Sequence, residues 1–256
     1  MRRTSLSDKQ MMAVLLNLKA LGGKVLDFAL PPRCASCGAI VDQLHSFCAD
    51  CWKHVAFLGD AGCTTCGLPL EATDAEQCAV CLARPPRIER TRAAVEYDDV
   101  TRGLAIRLKY GRKIALARTM ARYMAPLLPD CAPNQLLVPV PLHRTRLWWR
   151  GFNQAAMIAR ELSRSTGMAA SPFALRRSKR TPSLRGLSAT QRRRAVAGAF
   201  FADRDSVAGK TIILIDDVLT TGSTANGCAR ALKRAGAARV ELITWARVVR
   251  PTQFMR

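Results

Sequence analysis

The sequence contains no long uninterrupted apolar run. No apolar stretch reaches the roughly 18 residues that indicate a membrane-spanning helix, so we predict no membrane span. The apolar residues 11–18 weakly resemble the core of a signal peptide, but Lys19 and Lys24 interrupt the region and no convincing cleavage site follows. We therefore expect an N-terminal helical segment over residues 1–30 and a cytoplasmic protein.

Acidic residues are scarce. The chain has 19 Asp and Glu against 40 Lys and Arg, and its formal net charge is +21. The imbalance is local, because residues 1–90 hold 10 basic and 9 acidic residues (+1), whereas residues 91–256 hold 30 and 10 (+20). A strongly basic half is expected to attract phosphate groups, on a small molecule or on nucleic acid. The length of 256 residues suits one α/β domain plus a smaller module.

Cysteine, in contrast, is abundant and regularly spaced. Eight of the ten cysteines form four Cys-x-x-Cys pairs. The pairs are Cys34/Cys37, Cys48/Cys51, Cys63/Cys66 and Cys78/Cys81. Two intervening residues let both thiolates of a pair reach one metal ion, and two pairs complete a tetrahedral zinc site. Disulfides are the alternative, which a cytosolic setting disfavours. We predict a double zinc ribbon over residues 31–84 that holds two structural Zn²⁺ ions.

The cysteine region also repeats internally. Residues 34–51 and 63–81 share the order Cys-x-x-Cys-Gly followed by Cys-Ala-x-Cys, which favours one ion per repeat. Crossed pairing, in which the first pair of each repeat shares an ion, stays open. Sites with four protein ligands have no open coordination position, so we assign them no catalysis. A zinc-dependent hydrolase is disfavoured for the same reason, and because the three histidines do not cluster by spacing.

One stretch of the basic half combines carboxylates with a hydroxyl-rich loop. From residue 212 to residue 224 it reads Ile-Ile-Leu-Ile-Asp-Asp-Val-Leu-Thr-Thr-Gly-Ser-Thr. The apolar start predicts a buried strand that ends at Asp216 and Asp217, and residues 225–235 continue as a helix. Strand, loop and helix in this order bring loop amides and a helix N-terminus together, which is typical of an anion site. The alternative is a purely structural connection, but two adjacent carboxylates are costly unless a hydroxyl or cationic group meets them.

Further basic residues follow another predicted strand at residues 136–140. They are His143, Arg144, Arg146 and Arg150. Open α/β sheets bind ligands at the carboxyl ends of their strands, so a functional role is favoured. The alternative is a solvated basic loop with Trp148 and Trp149 packed on the core. Residues 176–194 carry eight cations and no acid. We predict further strands at residues 92–97 and 239–249. We predict a helix that follows the first of these strands and ends at about residue 109, and further helices at residues 114–128 and 152–166.

These motifs in this order resemble a known family. Residues 212–224 are similar at all thirteen positions to the phosphoribosyl diphosphate (PRPP) motif of type I phosphoribosyltransferases. Within that group, residues 26–249 resemble the ComF proteins and their GntX-like relatives, known from DNA uptake and competence. The supporting motifs are Pro31-Pro-Arg-Cys34, the cysteine pairs, Cys66-Gly-Leu-Pro69, Leu108-Lys-Tyr110, Val140-Pro-Leu142, Arg150-Gly-Phe-Asn-Gln154 and residues 181–194.

The resemblance implies an α/β fold over residues 91–256, with a mostly parallel sheet flanked by helices. It implies that Asp216 and Asp217 accept hydrogen bonds from the ribose hydroxyls and stabilise positive charge at the anomeric carbon, with Lys109 as a catalytic cation. Mg²⁺ would bind with PRPP, and residues 176–194 would form a hood over the site. The eight cations of this segment could equally form a nucleic-acid patch. The implied PRPP-binding residues are Asp216, Asp217, Thr220, Thr221, Gly222, Ser223, Thr224, His143 and Arg144.

Two functions are compatible with this pattern. The first is a phosphoribosyltransferase with an unidentified acceptor, linked to DNA uptake and nucleic-acid handling. The second is a non-enzymatic protein that senses PRPP and binds single-stranded DNA, with Trp148 and Trp149 as stacking platforms. Competence and DNA-uptake proteins would be partners in either case. Fold alone does not decide between them.

Overall fold

The computed structural model describes residues 31–59, 62–70, 75–111, 113–179, 191, 194 and 196–249. The helical segment predicted at residues 1–30 lies outside the described residues, as do residues 180–190, 192 and 193 of the predicted hood. Within the described part of the chain, no helix has the length and apolar character that a membrane crossing requires.

The chain forms eight α-helices and seven strands in its described residues. The helices are α1 (Ala49–Lys53), α2 (Ala79–Ala83), α3 (Asp99–Tyr110), α4 (Leu116–Met124), α5 (Arg144–Arg150), α6 (Gln154–Thr166), α7 (Arg204–Val207) and α8 (Ser223–Arg234). The strands are β1 (Phe57–Gly59), β2 (Arg90–Glu96), β3 (Gln135–Pro139), β4 (Leu175–Arg177), β5 (Phe200–Ala202), β6 (Thr211–Leu219) and β7 (Arg239–Arg247). A 3₁₀ turn, Ala125–Leu127, extends α4.

Five strands form the main sheet in the order β1-β2-β7-β6-β3. The pairs β2–β7, β7–β6 and β6–β3 are parallel, whereas β1 joins the edge antiparallel to β2. Strands β4 and β5 form a separate antiparallel pair. The predicted α/β fold with a mostly parallel sheet is therefore confirmed. The edge strand β1 comes from the cysteine-rich region, which thus extends the sheet.

Apolar side chains pack on both faces of this sheet. On one face, Ile213 and Trp245 pack with helices α3, α4 and α6, and Phe47 and Val55 of the cysteine-rich region join the same cluster. On the other face, Ile212 and Leu214 pack with α8 and the β4–β5 pair. Burial on both faces explains why the start of β6 is a continuous apolar run.

One expectation and one alternative about local structure were wrong. Strand β6 does not end at Asp216 and Asp217 but continues to Leu219, because its pairing with β7 extends to the Leu219–Arg247 register pair. The basic residues after β3 are not a loop but helix α5, which begins after the N-cap His143 and ends at Gly151, a residue with a left-handed φ of 81°. Glycine adopts this conformation without the steric cost of a Cβ atom.

Candidate functional site

The carboxyl ends of the four parallel strands lie along one edge of the sheet. Strand β6 ends there at Leu219, residues 220–222 form a short loop, and α8 begins at Ser223. Gly222 has a φ of 69°, and a Cβ atom at this position would lie 3.4 Å from Nδ2 of Asn226. The N-cap residue supplies no side-chain hydrogen bond to the first turn of this twelve-residue helix. Its N-terminal amides therefore keep the capacity to bind an anion.

The two carboxylates lie on β6 just before this loop. Neighbouring side chains of a strand point to opposite faces, and it is Asp217 that faces α3. Its Oδ2 atom lies 2.6 Å from Nζ of Lys109, and Asp217 is only 3% exposed. Asp216 is partly buried, pairs in register with Thr244 of β7, and accepts the backbone N–H of Asp217 at Oδ1 over 2.9 Å. The structure thus brings together Lys109 and the two acids.

The charges of this cluster are strongly coupled. Burial, followed by the neighbouring charge of Asp217, raises the pKa of Asp216 to about 8, although Lys109 acts in the opposite direction. Burial alone would lower the pKa of Lys109, but the charge and hydrogen bond of Asp217 and the charge of Asp216 raise it overall. Lys109 is therefore cationic at neutral pH. The Asp216 carboxylate is disfavoured until positive charge or hydroxyl donors come close.

The loop after β6 presents hydroxyl groups. Thr220 and Thr221 are exposed, Thr224 is partly buried and Ser223 is buried. The Oγ1 atom of Thr221 lies 2.9 Å from Oγ of Ser223, so these two hydroxyls share a hydrogen bond. Together with the first-turn amides of α8, they form a compact donor-rich surface next to the acidic pair.

One residue of this loop region was not singled out by the sequence. Asn226 holds the loop from inside α8, since its Nδ2 donates to the carbonyl oxygen of Gly222 at 3.1 Å. Its Oδ1 accepts the backbone N–H of Arg87 at 3.0 Å. The only sequence signal is a polar residue one helical turn after the glycine, which is too common to identify such a role.

His143 and Arg144 follow β3, the strand next to β6. His143 caps α5, because Nδ1 accepts the backbone N–H of Thr145 at 3.3 Å and lies 2.9 Å from the Thr145 hydroxyl. Arg144 is exposed at the start of the helix. Both residues lie at the same sheet edge as the acidic pair, and neither contacts Lys109, Asp216 or Asp217 in the hydrogen bonds and ion pairs that we observe among these described residues.

Helix α5 also carries two exposed tryptophans. Trp148 is 84% exposed and Trp149 is 83% exposed, so the alternative that they pack on the core is wrong. With Arg144 and Thr145 they form one open surface of the helix. The guanidinium of Arg150 in the same helix lies 5.2 Å from the ring centre of Tyr110. The helix thus presents flat aromatic faces beside positive charge.

The eight paired cysteines form two separate groups. The first contains Cys34, Cys37, Cys48 and Cys51, and the second contains Cys63, Cys66, Cys78 and Cys81. In each group all four Sγ atoms lie within 4.8 Å of one another, as ligands of one tetrahedral ion must. The grouping follows the two repeats, so crossed pairing is excluded. Both groups fit a structural zinc site.

Backbone amides prepare the first thiol of each group for metal binding. Burial opposes the charged form of Cys34, but N–H groups of Cys48, Cys37 and Ser36 outweigh it and lower its pKa to about 6. Cys63 receives the equivalent contacts in the second repeat, and its pKa is also lowered to about 6. Burial raises the pKa of Cys51 to about 12 and that of Cys66 to about 11, so these thiols need a bound cation to become thiolates, the form that binds zinc. Four sulfur donors per group suit Zn²⁺.

Comparison with known families agrees with this arrangement. A double zinc ribbon domain matches residues 25–82, and a phosphoribosyl transferase domain matches residues 150–253. The second match contains Asp216, Asp217 and the loop after them, whereas Lys109, His143 and Arg144 precede it.

Among solved structures, the chain is similar to the adenine phosphoribosyltransferase of Thermoanaerobacter pseudethanolicus, with 12% identity over 53% of this chain and 82% of that one and a TM-score of 0.34. A glutamine phosphoribosylpyrophosphate amidotransferase from B. subtilis gives 19% identity over 50% of this chain and 26% of that one, with a TM-score of 0.34. At these scores the likeness supports no further conclusion.

Curated relatives match over most of their length. Competence protein F of Haemophilus influenzae is 29% identical over 84% of this chain and 96% of its own. DNA utilization protein YhgH of Escherichia coli K12 is 33% identical over 70% of this chain and 81% of its own. Two cysteine groups of zinc-ribbon type, a phosphoribosyltransferase domain and this extent of identity lead to one conclusion: the chain belongs to the ComF family.

Proposed function

We propose that this chain binds PRPP with Mg²⁺ at the acidic site and transfers the phosphoribosyl group to an acceptor. The observation that carries the proposal is the cluster of Lys109, Asp216 and Asp217 at the carboxyl end of β6, directly before a hydroxyl-rich loop and a helix N-terminus. A loop and helix N-terminus that can bind phosphate thus lie next to carboxylates that can bind a polyol.

Each part of the cluster has a separate task in this proposal. Residues 220–224 bind the 5′-phosphate through hydroxyls and first-turn amides of α8. Asp216 and Asp217 accept hydrogen bonds from the 2′- and 3′-hydroxyls of the ribose. Lys109, held 2.6 Å from Asp217, keeps that carboxylate in place and adds positive charge near the pyrophosphate.

The acidic pair also favours the transition state over the bound ground state. As the bond between the anomeric carbon and pyrophosphate breaks, the ribose becomes cationic. In the empty site the Asp216 carboxylate is disfavoured, as its pKa of about 8 indicates. The positive charge that develops on the ribose stabilises this carboxylate. An interaction that strengthens as charge develops accelerates the reaction. When bound, Mg²⁺ would neutralise the pyrophosphate leaving group, and Asp216 and Asp217 would help to hold it.

We further propose a role in DNA uptake. The relatives carry the names competence protein and DNA utilization protein, and the charge of +20 on residues 91–256 suits a polyanionic partner. A second candidate is a PRPP-sensing protein that binds single-stranded DNA without catalysis. The specific observation in its favour is the exposure of Trp148 and Trp149 beside Arg144, since bases stack on exposed aromatic rings.

Calorimetric titration of the zinc-loaded protein with PRPP and Mg²⁺ tests the proposed site. We expect binding by the wild type and none by the Asp216→Ala/Asp217→Ala variant. Asp205→Ala, which removes an exposed carboxylate of α7, is the matched control and should bind as the wild type does. Absence of binding by folded wild-type protein would refute the proposal.

Turnover separates the two candidate functions. Protein that binds PRPP is incubated with nucleobases, amines and single-stranded oligonucleotides, and pyrophosphate release is measured. Release that requires Asp216 and Asp217 indicates a transferase. PRPP binding that changes the affinity for single-stranded DNA without any release indicates the sensing protein.

A further inference from the structure

Helix α3 connects the first cysteine group to the acidic site. Lys109 on this helix pairs with Asp217. Two residues earlier, Arg107 donates from Nη1 to the carbonyl oxygen of Ser36 at 2.8 Å and from Nη2 to that of Ala35 at 2.7 Å. Ala35 and Ser36 are the two residues between Cys34 and Cys37. Arg107 therefore holds the tight turn that brings two thiolates of the first group together.

Both residues belong to the last turn of α3. The helix ends at Tyr110, and the N–H of Gly111 bonds to the carbonyl oxygen of Arg107. Helix ends fray because their final carbonyls lack partners within the helix. The bonds from Arg107 to the Cys34–Cys37 turn anchor the last turn of α3 from outside the helix. They therefore restrict the position of Lys109 as well.

The contact between α3 and the cysteine region is also apolar. Leu104 and Leu108 of the helix are fully buried, and they belong to one cluster with Cys34, Phe47 and Val55. The cysteine region and α3 thus share one apolar cluster, and Arg107 joins them by hydrogen bonds. Small displacements of Lys109 matter, because a charged group contributes to a binding site only when it is held within about 0.5 Å of its productive position.

We propose that Arg107 is a positioning residue for Lys109, through which occupation of the first cysteine group by zinc sets the affinity of the acidic site for its ligand. With zinc bound, the Cys34–Cys37 turn is held by its thiolates and its carbonyls face Arg107. Without zinc the turn loses that constraint, Arg107 loses two acceptors, and the last turn of α3 loosens. Lys109 then leaves Asp217, and the two carboxylates repel a polyphosphate ligand. The ligand identity rests on the proposed function, whereas the link between zinc and Lys109 does not.

The chain provides a matched control. Arg122 on α4 binds the same cysteine repeat with the same chemistry, since Nη1 donates to the carbonyl oxygen of Leu44 at 2.9 Å and Nη2 to Oε1 of Gln43 at 2.8 Å. Helix α4 carries none of the residues assigned to the acidic site. Arg122→Ala therefore removes a comparable attachment of the cysteine region without acting on Lys109.

The experiment compares full-length, zinc-loaded wild type, Arg107→Ala, Arg107→Lys and Arg122→Ala. Calorimetry measures the Kd for PRPP with Mg²⁺, and ¹⁵N NMR of the Lys109 ammonium, assigned with Lys109→Arg, follows the ion pair. Zinc release to a chromogenic chelator is the third readout. We expect Arg107→Ala to weaken PRPP binding by about three- to thirtyfold and to shift or broaden the Lys109 signal. Arg107→Lys should restore part of both effects. Arg122→Ala should release zinc to the chelator as readily as Arg107→Ala does, but while its zinc is bound it should keep the Kd within twofold of the wild type and an unchanged Lys109 signal.

If a variant does not fold, zinc-free wild-type protein replaces it in the experiment. Its Lys109 signal should shift or broaden as that of Arg107→Ala does. An unchanged Lys109 signal after zinc removal, or equal losses of affinity in Arg107→Ala and Arg122→Ala, would overturn the proposal. If the wild type does not bind PRPP, the proposed function fails, and the NMR readout alone decides whether Arg107 positions Lys109.

Discussion

The cysteine groups and the acidic site are assembled in opposite ways. Each cysteine group takes its four ligands from at most 19 consecutive residues, 34–51 or 63–81. The acidic site combines Lys109 and Asp217, which lie 108 positions apart in the sequence. A metal ion organises the first kind of site, whereas a hydrophobic core and parallel strand pairing position the second. The two kinds of site should therefore respond differently to metal removal, to mutation and to pH.

The largest expected effect is the response to loss of zinc. Structural zinc contributes on the order of 10 kcal/mol to the folding of small modules, so Cys34→Ser should release one ion per chain and unfold the first repeat. Strands β6 and β7 are held by Ile213, Ile243 and the rest of the core, and their amides should stay protected. Hydrogen exchange with mass spectrometry distinguishes the two regions.

Cys131→Ser is the control for this experiment, because Cys131 is exposed and belongs to neither group. It should retain two zinc ions per chain. Loss of protection in β6 at the same rate as in the first repeat would show that the zinc module and the sheet unfold as one unit.

Removal of Lys109 is expected to have the next largest effect. Lys109→Met leaves Asp217 buried without its cation, which should lower the free energy of unfolding by about 3 kcal/mol. Lys233→Met breaks a more exposed pair with Glu89 and should cost less than about 1 kcal/mol. Urea unfolding at pH 7 measures both changes, and equal values for the two variants would contradict the assignment of a buried pair.

The pH dependence of this pair has a defined sign. Since the pKa of Lys109 is raised in the folded protein, its contribution is complete below the ordinary lysine pKa of about 10.5 and is lost as pH rises beyond it. The Lys109→Met variant should lack this alkaline loss.

Substitution of the exposed tryptophans is expected to affect binding but not folding. Trp148→Ala and Trp149→Ala remove rings that are more than four-fifths exposed, so the free energy of unfolding should change by less than about 0.5 kcal/mol. Affinity for single-stranded oligothymidine should fall by about 1–3 kcal/mol per lost stacking contact. Fluorescence anisotropy measures it. Phe173→Ala, another exposed aromatic residue, is the control, and an equal loss there would refute a specific role for α5.

The last expected effect has the opposite sign, because the protein should gain stability when Asp216 loses its charge. The pKa of Asp216 rises from 3.8 to about 8 on folding, so the folded carboxyl keeps a proton that the unfolded one releases. Its contribution to the free energy of unfolding therefore falls as pH rises from about 4 to about 8. Asp216→Asn should stabilise the empty protein by at least about 1 kcal/mol at pH 8 and less at pH 5.

Two observations check this reversal. Thermal unfolding at both pH values measures the stability change, and calorimetry should show that the Asp216→Asn variant no longer binds PRPP. A variant that is less stable than the wild type at pH 8 would contradict the raised pKa of Asp216.

Local patterns predicted the elements that depend on local physics. The apolar run 212–215 is a strand because both of its faces are buried. The end of that strand was misplaced, because the backbone pairing of Val218 and Leu219 with β7 leaves no mark in side-chain polarity. Helix α5 was not predicted, although His143 and Gly151 are ordinary cap residues, because its basic and aromatic composition hid the short helix.

Spacing along the chain was enough to identify the eight paired cysteines and residues 220–224, since their parts are neighbours in sequence, but which pairs share an ion was decided by the fold. Three further features required the folded chain. They are the choice of Asp217 rather than Asp216 as the partner of Lys109, the attachment of Arg107 to the first cysteine turn, and the exposure of Trp148 and Trp149. Each depends on which surfaces meet when distant segments pack around one core, and sequence separation carries no record of those distances.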